Sequence, residues 1–350
     1  MQNPIFAIIA CVLASFVLAQ MLVVTALRCD WLAMDLPGAV QKFHLRPTPR
    51  IGGIGIYLAL LAASGFVPDP DARRLLATIL IAGLPAFLAG LLEDVTKNVS
   101  VKLRLLATIA SGLLACWLGG VTLTHLNVPV LDALLQSAPL SLLFTAFAIA
   151  GVSNAFNIID GFHGLASGTA TLCLLALAGI AATVGDFPLA LTATIVAAAV
   201  AGFWLVNFPW GRLFLGDGGA YFAGFALAWV AVLLPMRNPE VSPWASLLVC
   251  AYPIIEVVYS VVRRSWRRQS PGCPDRGHLH SLVATRIVQQ RMPRLQPALQ
   301  NSAVSVIMWL CTAAPATAAI IFHNQTGVLA GCAVLCLLAY HFIYRQVDRP

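Results

Sequence analysis

Charge is the scarcest feature of this chain. Lys, Arg, Asp and Glu together make up 10% of its 350 residues, whereas 59% are hydrophobic. Soluble domains carry roughly a quarter charged residues, so a soluble globular fold is excluded and no separate soluble domain is visible. The long apolar runs also lack the short alternating segments that a β-barrel requires. None of the nine cysteines stands in a CxxC spacing. A disulfide framework or zinc site is therefore not expected, and the thiols read as small apolar fillers of helix packing. Met1-Gln2-Asn3-Pro4 has no basic residue ahead of the first apolar run, which points to a retained span and not a cleaved leader. No internal repeat of the inverted-transporter kind is present, and no low-complexity segment. No nucleic-acid partner is expected.

What is there is a series of apolar segments. The expected fold is an all-α polytopic membrane protein, one integral-membrane domain over residues 1–350, because helices satisfy their backbone groups internally. Runs approaching the roughly 20 residues a span needs give eleven: 4–26, 51–67, 74–92, 103–121, 135–153, 164–183, 187–206, 216–235, 243–262, 301–322 and 326–344. Of the 21 Lys and Arg residues, all except Arg73, Arg74 and Arg237 fall in loops 27–50, 93–102, 207–215 and 263–300, at the start of span four, or in the C-terminal tail. Under the positive-inside rule that side is cytoplasmic, which places the N-terminus in the periplasm and the C-terminus in the cytoplasm. Asp94, Asp160 and Asp217 fall at the cytoplasmic ends of spans. Asp69, Asp71, Asp132, Asp186 and Glu240 lie in short loops on the other side, where they read as solvated turn residues.

Five polar stretches interrupt the apolar ladder on the basic side. The first holds Asp35, Lys42, His44 and Pro47-Thr48-Pro49-Arg50, then Gly52-Gly53 at a helix start; its cations suit phosphate, and topology plus a proline turn explains it equally. The second is Glu93-Asp94, an acidic pair able to hold Mg²⁺ or to act as a solvated cap. The third, Asn154-Ala155-Phe156-Asn157-Ile158-Ile159-Asp160-Gly161-Phe162-His163-Gly164, sets two amides, a carboxylate and an imidazole between uncharged runs. Asn154 and Asn157 share a helical face if the span continues, with Asp160 as a ligand or phosphate organiser; a capping turn is the alternative. The fourth, Phe214-Leu215-Gly216-Asp217-Gly218-Gly219, leaves a carboxylate on a bare backbone or forms an N-cap. In the fifth, Arg263-Arg264-Ser265-Trp266-Arg267-Arg268 suits anionic headgroups, and Asp275-Arg276-Gly277-His278-Leu279-His280 suits a diphosphate better than zinc. Glu256, about two turns before Arg263 within span nine, is either functional or paired with a loop arginine.

Together these loops resemble one family. Lys42-x-His44 with Pro47-Thr48-Pro49-Arg50-x-Gly52-Gly53, Glu93-Asp94, Asn154-x-x-Asn157-x-x-Asp160-Gly161, Phe214-x-Gly216-Asp217-Gly218 and Pro274-Asp275-Arg276-x-His278-x-His280 look like the polyprenyl-phosphate N-acetylhexosamine-1-phosphate transferases. This is the MraY/WecA superfamily, glycosyltransferase family 4, and the fifth loop is similar to the WecA-like branch. The resemblance covers residues 35–285.

It implies an enzyme of the bacterial inner membrane that moves a sugar-1-phosphate from a UDP-N-acetylhexosamine to undecaprenyl phosphate, releasing UMP. That step would initiate a surface polysaccharide or O-antigen. Mg²⁺ is the implied cofactor, with Mn²⁺ as an alternative; membrane lipids and a homodimer are the other implied partners. By the same resemblance the catalytic set is Glu93, Asp94, Asp160 and Asp217. Asp217 and Asp94 would hold the metal, and Asp94 would also activate or position the lipid phosphate. Asp160 and Asn157 would order the nucleotide and diphosphate, Asn154 would bind substrate, and Phe214 would lie against uracil. Arg276, His278 and His280 would hold the diphosphate, and Lys42, His44 and Arg50 would bind substrate. Three positions depart from the usual pattern: Glu93 replaces an aspartate, Lys97 a third acidic residue, and His163, still assigned to substrate, an Asp or Asn. The competing expectations are a transporter or flippase without chemistry, which would place polar groups near the bilayer midplane, and the phospho-MurNAc-pentapeptide transferase of peptidoglycan synthesis.

Overall fold

The computed structural model describes residues 4–28, 34–35, 47–268, 275 and 277–348. Lys42, His44 and Arg276 lie outside the described residues. The chain is a helical bundle in the order α1 (Pro4–Arg28), β1 (Met34–Asp35), β2 (Thr48–Pro49), α2 (Gly52–Ser64), α3 (Pro70–Thr96), α4 (Val101–Gly119), α5 (Pro129–Leu135), α6 (Ala138–Ile159), α7 (Leu165–Thr183), α8 (Phe187–Asn207) and α9 (Gly216–Arg237). It continues with α10 (Pro243–Val249), α11 (Ala251–Trp266), α12 (Leu279–Leu282), a π-helical turn (Val283–Val288), α13 (Gln289–Arg291), α14 (Pro297–Ile321) and α15 (Thr326–Val347). It is an all-α polytopic membrane protein.

Among the described residues, nine single helices are long and apolar enough to cross a bilayer. The two remaining expected spans differ in form. Span two is the 13-residue α2, about 20 Å long against a hydrocarbon core of about 30 Å. Span nine is the pair α10 and α11, bent by 75° at their junction.

The bundle is built around α9, which packs against α3, α6, α2, α7 and α10 and is buried along nearly its whole length. Lipid offers no hydrophobic drive between helices, so close backbone approach through small residues must supply the attraction. At Gly90 of α3 a Cβ would come within 2.5 Å of the Asp217 carbonyl carbon and the Gly218 nitrogen. The start of α9 is thus pressed directly onto α3. Pro85 interrupts α3, and the next N–H, on Ala86, donates to Ser111 Oγ of α4 at 3.0 Å; a neighbouring helix answers the locally disturbed ladder.

Candidate active site

The short strand pair brings the first polar stretch to the fourth. β1 and β2 pair antiparallel, Asp35 opposite Thr48. Pro49 then accepts from the Phe214 N–H at 2.8 Å, while Gly52 and Gly53 donate to the carbonyls of Phe214 and Leu215 at 3.0 Å each. Gly216 follows at φ +75°, and a Cβ there would stand 2.2 Å from the Arg50 carbonyl oxygen. Only glycine fits both the left-handed backbone and the contact.

The second stretch closes on this junction. Asp94, 1% exposed, accepts from the Asp217 N–H through Oδ1 and from the Gly218 N–H through Oδ2, both at 2.9 Å. Its carboxylate thereby satisfies two of the first N–H groups of α9, which have no intrahelical partner. Asp217 points back between two guanidiniums. Arg50 Nη2 donates to Oδ1 at 2.8 Å, and Arg104 Nη1 donates to Oδ2. Arg50 Nη2 also lies 3.4 Å from Asp94, and Nη1 3.7 Å from Asp35.

Asp160, just past the end of α6, belongs to the same electrostatic cluster around Arg50. Burial pushes its carboxyl up to about 8; Arg50 opposes the shift, and Asp217 and Asp94 add to it. Asn157 accepts from the Tyr221 hydroxyl at 3.3 Å. Among the described residues, then, four carboxylates, Asp35, Asp94, Asp160 and Asp217, surround two guanidiniums and the exposed Lys97 ammonium. Carboxyl groups outnumber the guanidiniums here, at a helix N-terminus with donors at hand. Such a place suits a cation and phosphate oxygens together.

Other candidates are placed differently. Glu93 turns aside and accepts from the Val99 N–H at 2.8 Å, capping the turn after α3. Asn154 donates to Thr108 Oγ1 at 3.0 Å and to the Ala150 carbonyl at 2.8 Å, which ties α6 to α4. His163 is buried. Its backbone N–H donates to Asn301 at 2.6 Å, its carbonyl accepts from Ser305 at 2.8 Å, and its Nδ1 lies 3.1 Å from the Pro209 carbonyl. These bonds knit three segments together around His163. The half-buried Phe214 ring lies 5.9 Å away.

In the fifth stretch His278 and His280 stack on each other with Nδ1 turned toward buried Glu256, and Arg263 pairs with Asp275. Burial works against the Asp275 charge, but the Gly277 N–H and Arg263 hold its carboxyl below the usual carboxylate range. Phe162 meets the His280 ring edge-on at 5.6 Å, so the third and fifth stretches touch.

Sequence reasoning missed Arg104 as the partner of Asp217, because a lone arginine at a span start reads as topology alone. It also missed Asn207, which accepts from the Gly164 N–H and donates to the Leu213 carbonyl. A buried amide next to a polar loop was the available signal. Among the described residues no three His, Cys, Asp or Glu side chains converge as a preformed metal site. A magnesium site here would comprise Asp217 and Asp94, completed by phosphate oxygens and water, as that ion prefers. The seven cysteines among the described residues are all free.

Residues 76–235 match the family described as glycosyl transferase family 4. The chain is 30% identical over 250 residues to an undecaprenyl-phosphate alpha-N-acetylglucosaminyl 1-phosphate transferase of Escherichia coli (strain K12), covering 69% of this chain and 67% of that protein. It is 29% identical over 273 residues to the enzyme of the same description from Thermotoga maritima, covering 78% and 79%. A probable undecaprenyl-phosphate N-acetylglucosaminyl 1-phosphate transferase of Bacillus subtilis is 25% identical over 264 residues, covering 74% and 72%.

Proposed function

This chain belongs to glycosyl transferase family 4, and from that premise we propose that it transfers N-acetylglucosamine 1-phosphate, or the phosphate of a close hexosamine, from a UDP-sugar to undecaprenyl phosphate, releasing UMP. The observation that carries the reading is the convergence of Arg50, Asp94, Asp160 and Asp217 from four separate stretches on the first turn of α9. On this reading the site end of the bundle faces the cytoplasm at the bacterial inner membrane, which the basic loops support, and there the nucleotide is soluble and the lipid phosphate is in reach.

Phosphoryl transfer depends on positioning and charge neutralisation more than on covalent help from the protein. Arg50 and Arg104 are the donors to phosphate oxygens and exchange their carboxylate partners for the substrate. Asp94 fixes the α9 backbone and so the direction of Asp217. Asn157, held by Tyr221, and Asp160 border the nucleotide, with Phe214 against its base. Magnesium, with manganese as an alternative, would be held by Asp217 with Asp94 and would neutralise the diphosphate.

The test is UMP release by the purified protein given undecaprenyl phosphate, Mg²⁺ and a panel of UDP-N-acetylhexosamines. Turnover with UDP-N-acetylglucosamine is expected; silence across the panel refutes the reading.

A further inference from the structure

Glu256 is wholly buried on α11, with 0% exposure, and its partners in the structure are histidines and not an arginine. Oε1 accepts from His278 Nδ1 at 3.2 Å and from the Leu279 N–H at 2.8 Å, and Oε2 lies 3.7 Å from His280 Nδ1. The two imidazoles are parallel, centroids 5.2 Å apart with 3° between planes. Residues two apart on a helix do not face each other, so this stacking is not a property of α12. It arises because His278 is extended, φ −71° and ψ 145°, and only the residues after it are helical. Both Nδ1 atoms therefore face one carboxylate, and both Nε2 atoms sit on the opposite ring edges.

Burying a carboxylate is costly unless it is well paired. Capping the Leu279 N–H alone does not require one, since a neutral Ser or Asn serves as well. The tautomer of a histidine is set by the bond its other nitrogen makes, and a carboxylate can only accept, so Glu256 keeps the proton on Nδ1 of His278. Asp275, engaged by Arg263 and the Gly277 N–H, lies 3.8 Å from His278 Nε2, beyond hydrogen-bond reach. Phe162 braces His280 only two residues after Asp160.

We infer that Glu256 is a positioning residue: by its bond to His278 Nδ1 it fixes that tautomer, and through the charge it turns toward His280 Nδ1 it holds the stacked pair in a common plane, so that the two Nε2 edges engage the diphosphate of the sugar-nucleotide donor as one unit. The inference rests on the transferase reading above. Glu256 touches no reacting atom; it acts through His278 and His280.

The experiment is a double-mutant cycle on the full-length protein in detergent, with kcat/KM for the UDP-sugar as readout. Glu256→Gln keeps the shape and removes the charge. It is expected to lower kcat/KM by about 10- to 100-fold, as loss of a supporting partner does for metal-bound histidines. In a His278→Ala, His280→Ala background the same substitution is expected to cost less than about 3-fold, because coupled residues are not additive. A merely structural role gives equal losses in both backgrounds, and that result overturns the inference, as does wild-type kcat/KM in Glu256→Gln. If Glu256→Gln does not fold by size-exclusion chromatography, Glu256→Asp goes through the same cycle under the same criteria, since it retains the charge but draws it back by a methylene. Absence of wild-type turnover in the parallel sample defeats the transferase reading instead, so the two failures are told apart.

Discussion

Two aspartate–arginine clusters sit in different parts of this bundle and have opposite characters. Asp186, before α8, accepts from Arg237 Nε at 2.7 Å and Nη2 at 2.9 Å, from Asn238 at 3.2 Å and from the Leu189 N–H at 3.2 Å. One carboxylate meets one guanidinium, one amide and one helix N-terminus, and nothing is left over. Burial works against its charge, yet these bonds hold its carboxyl below the usual carboxylate range. Asp186 is thus a buried clamp that joins α7, α8 and α9, not the solvated turn residue the sequence suggests. Around Asp217, carboxylates outnumber guanidiniums, and Asp160 is pushed in the other direction. Identical residue types thus serve stability where the charges balance and leave room for a ligand where they do not.

The sharpest way to break the comparison is at Asp217. Asp217→Asn is expected to lower turnover by about 10³-fold or more while the protein elutes and melts as a folded species; wild-type turnover refutes its role. Asp186→Ala is the matched change in the balanced cluster. It removes an N-cap and a charged bidentate pair, on the order of 3 kcal/mol, so the melting temperature is expected to fall while kcat and KM at a permissive temperature stay within twofold. A loss of activity without a loss of stability would erase the distinction. His163→Ala tests whether a residue beside the site shares its character. Its bonds predict destabilisation of about 1–3 kcal/mol and an unchanged KM for the UDP-sugar, and a raised KM would return His163 to the substrate.

The smallest effect sharpens the electrostatic contrast. Burial pushes the Asp160 carboxyl up to about 8 in the folded protein, above the value of about 4 it has when unfolded, so the folded state holds its proton more tightly. Its contribution to stability is full below about pH 4 and declines as pH rises toward 8. In chelator, the melting temperature of Asp160→Asn is expected to fall less between pH 5 and pH 8 than that of wild type. Equal slopes would contradict the burial of that carboxyl.

Much of the fold was legible because a bilayer imposes one simple demand, an apolar run long enough to cross it. Nine spans appear as single helices, and two differ in form. α2 stops after 13 residues, short of a full crossing. The ninth run turns sharply at Cys250, whose N–H still bonds to Ser246, because tertiary packing sets the direction of each half. The site was legible as residues and not as geometry. Asp94, Asp217 and Arg50 stood out as polar groups in apolar surroundings, but Arg104 looked like a topology signal and Glu93 looked equivalent to its neighbour Asp94. Adjacent helical residues point about 100° apart, so only Asp94 reaches α9.

By itself the sequence determined the membrane class, the helical ladder and the polar stretches that interrupt it, because hydropathy and spacing are local properties. Only the tertiary structure decided which polar groups meet. It put Asp94 on the backbone of α9, gave Asp217 two arginines, closed the Asp186 clamp and set two histidines on Glu256. Those outcomes depend on helix rotation, on glycine contacts such as Gly90 against Gly218, and on the extended backbone of His278. Such contacts join residues up to 167 positions apart, a separation that no local pattern encodes.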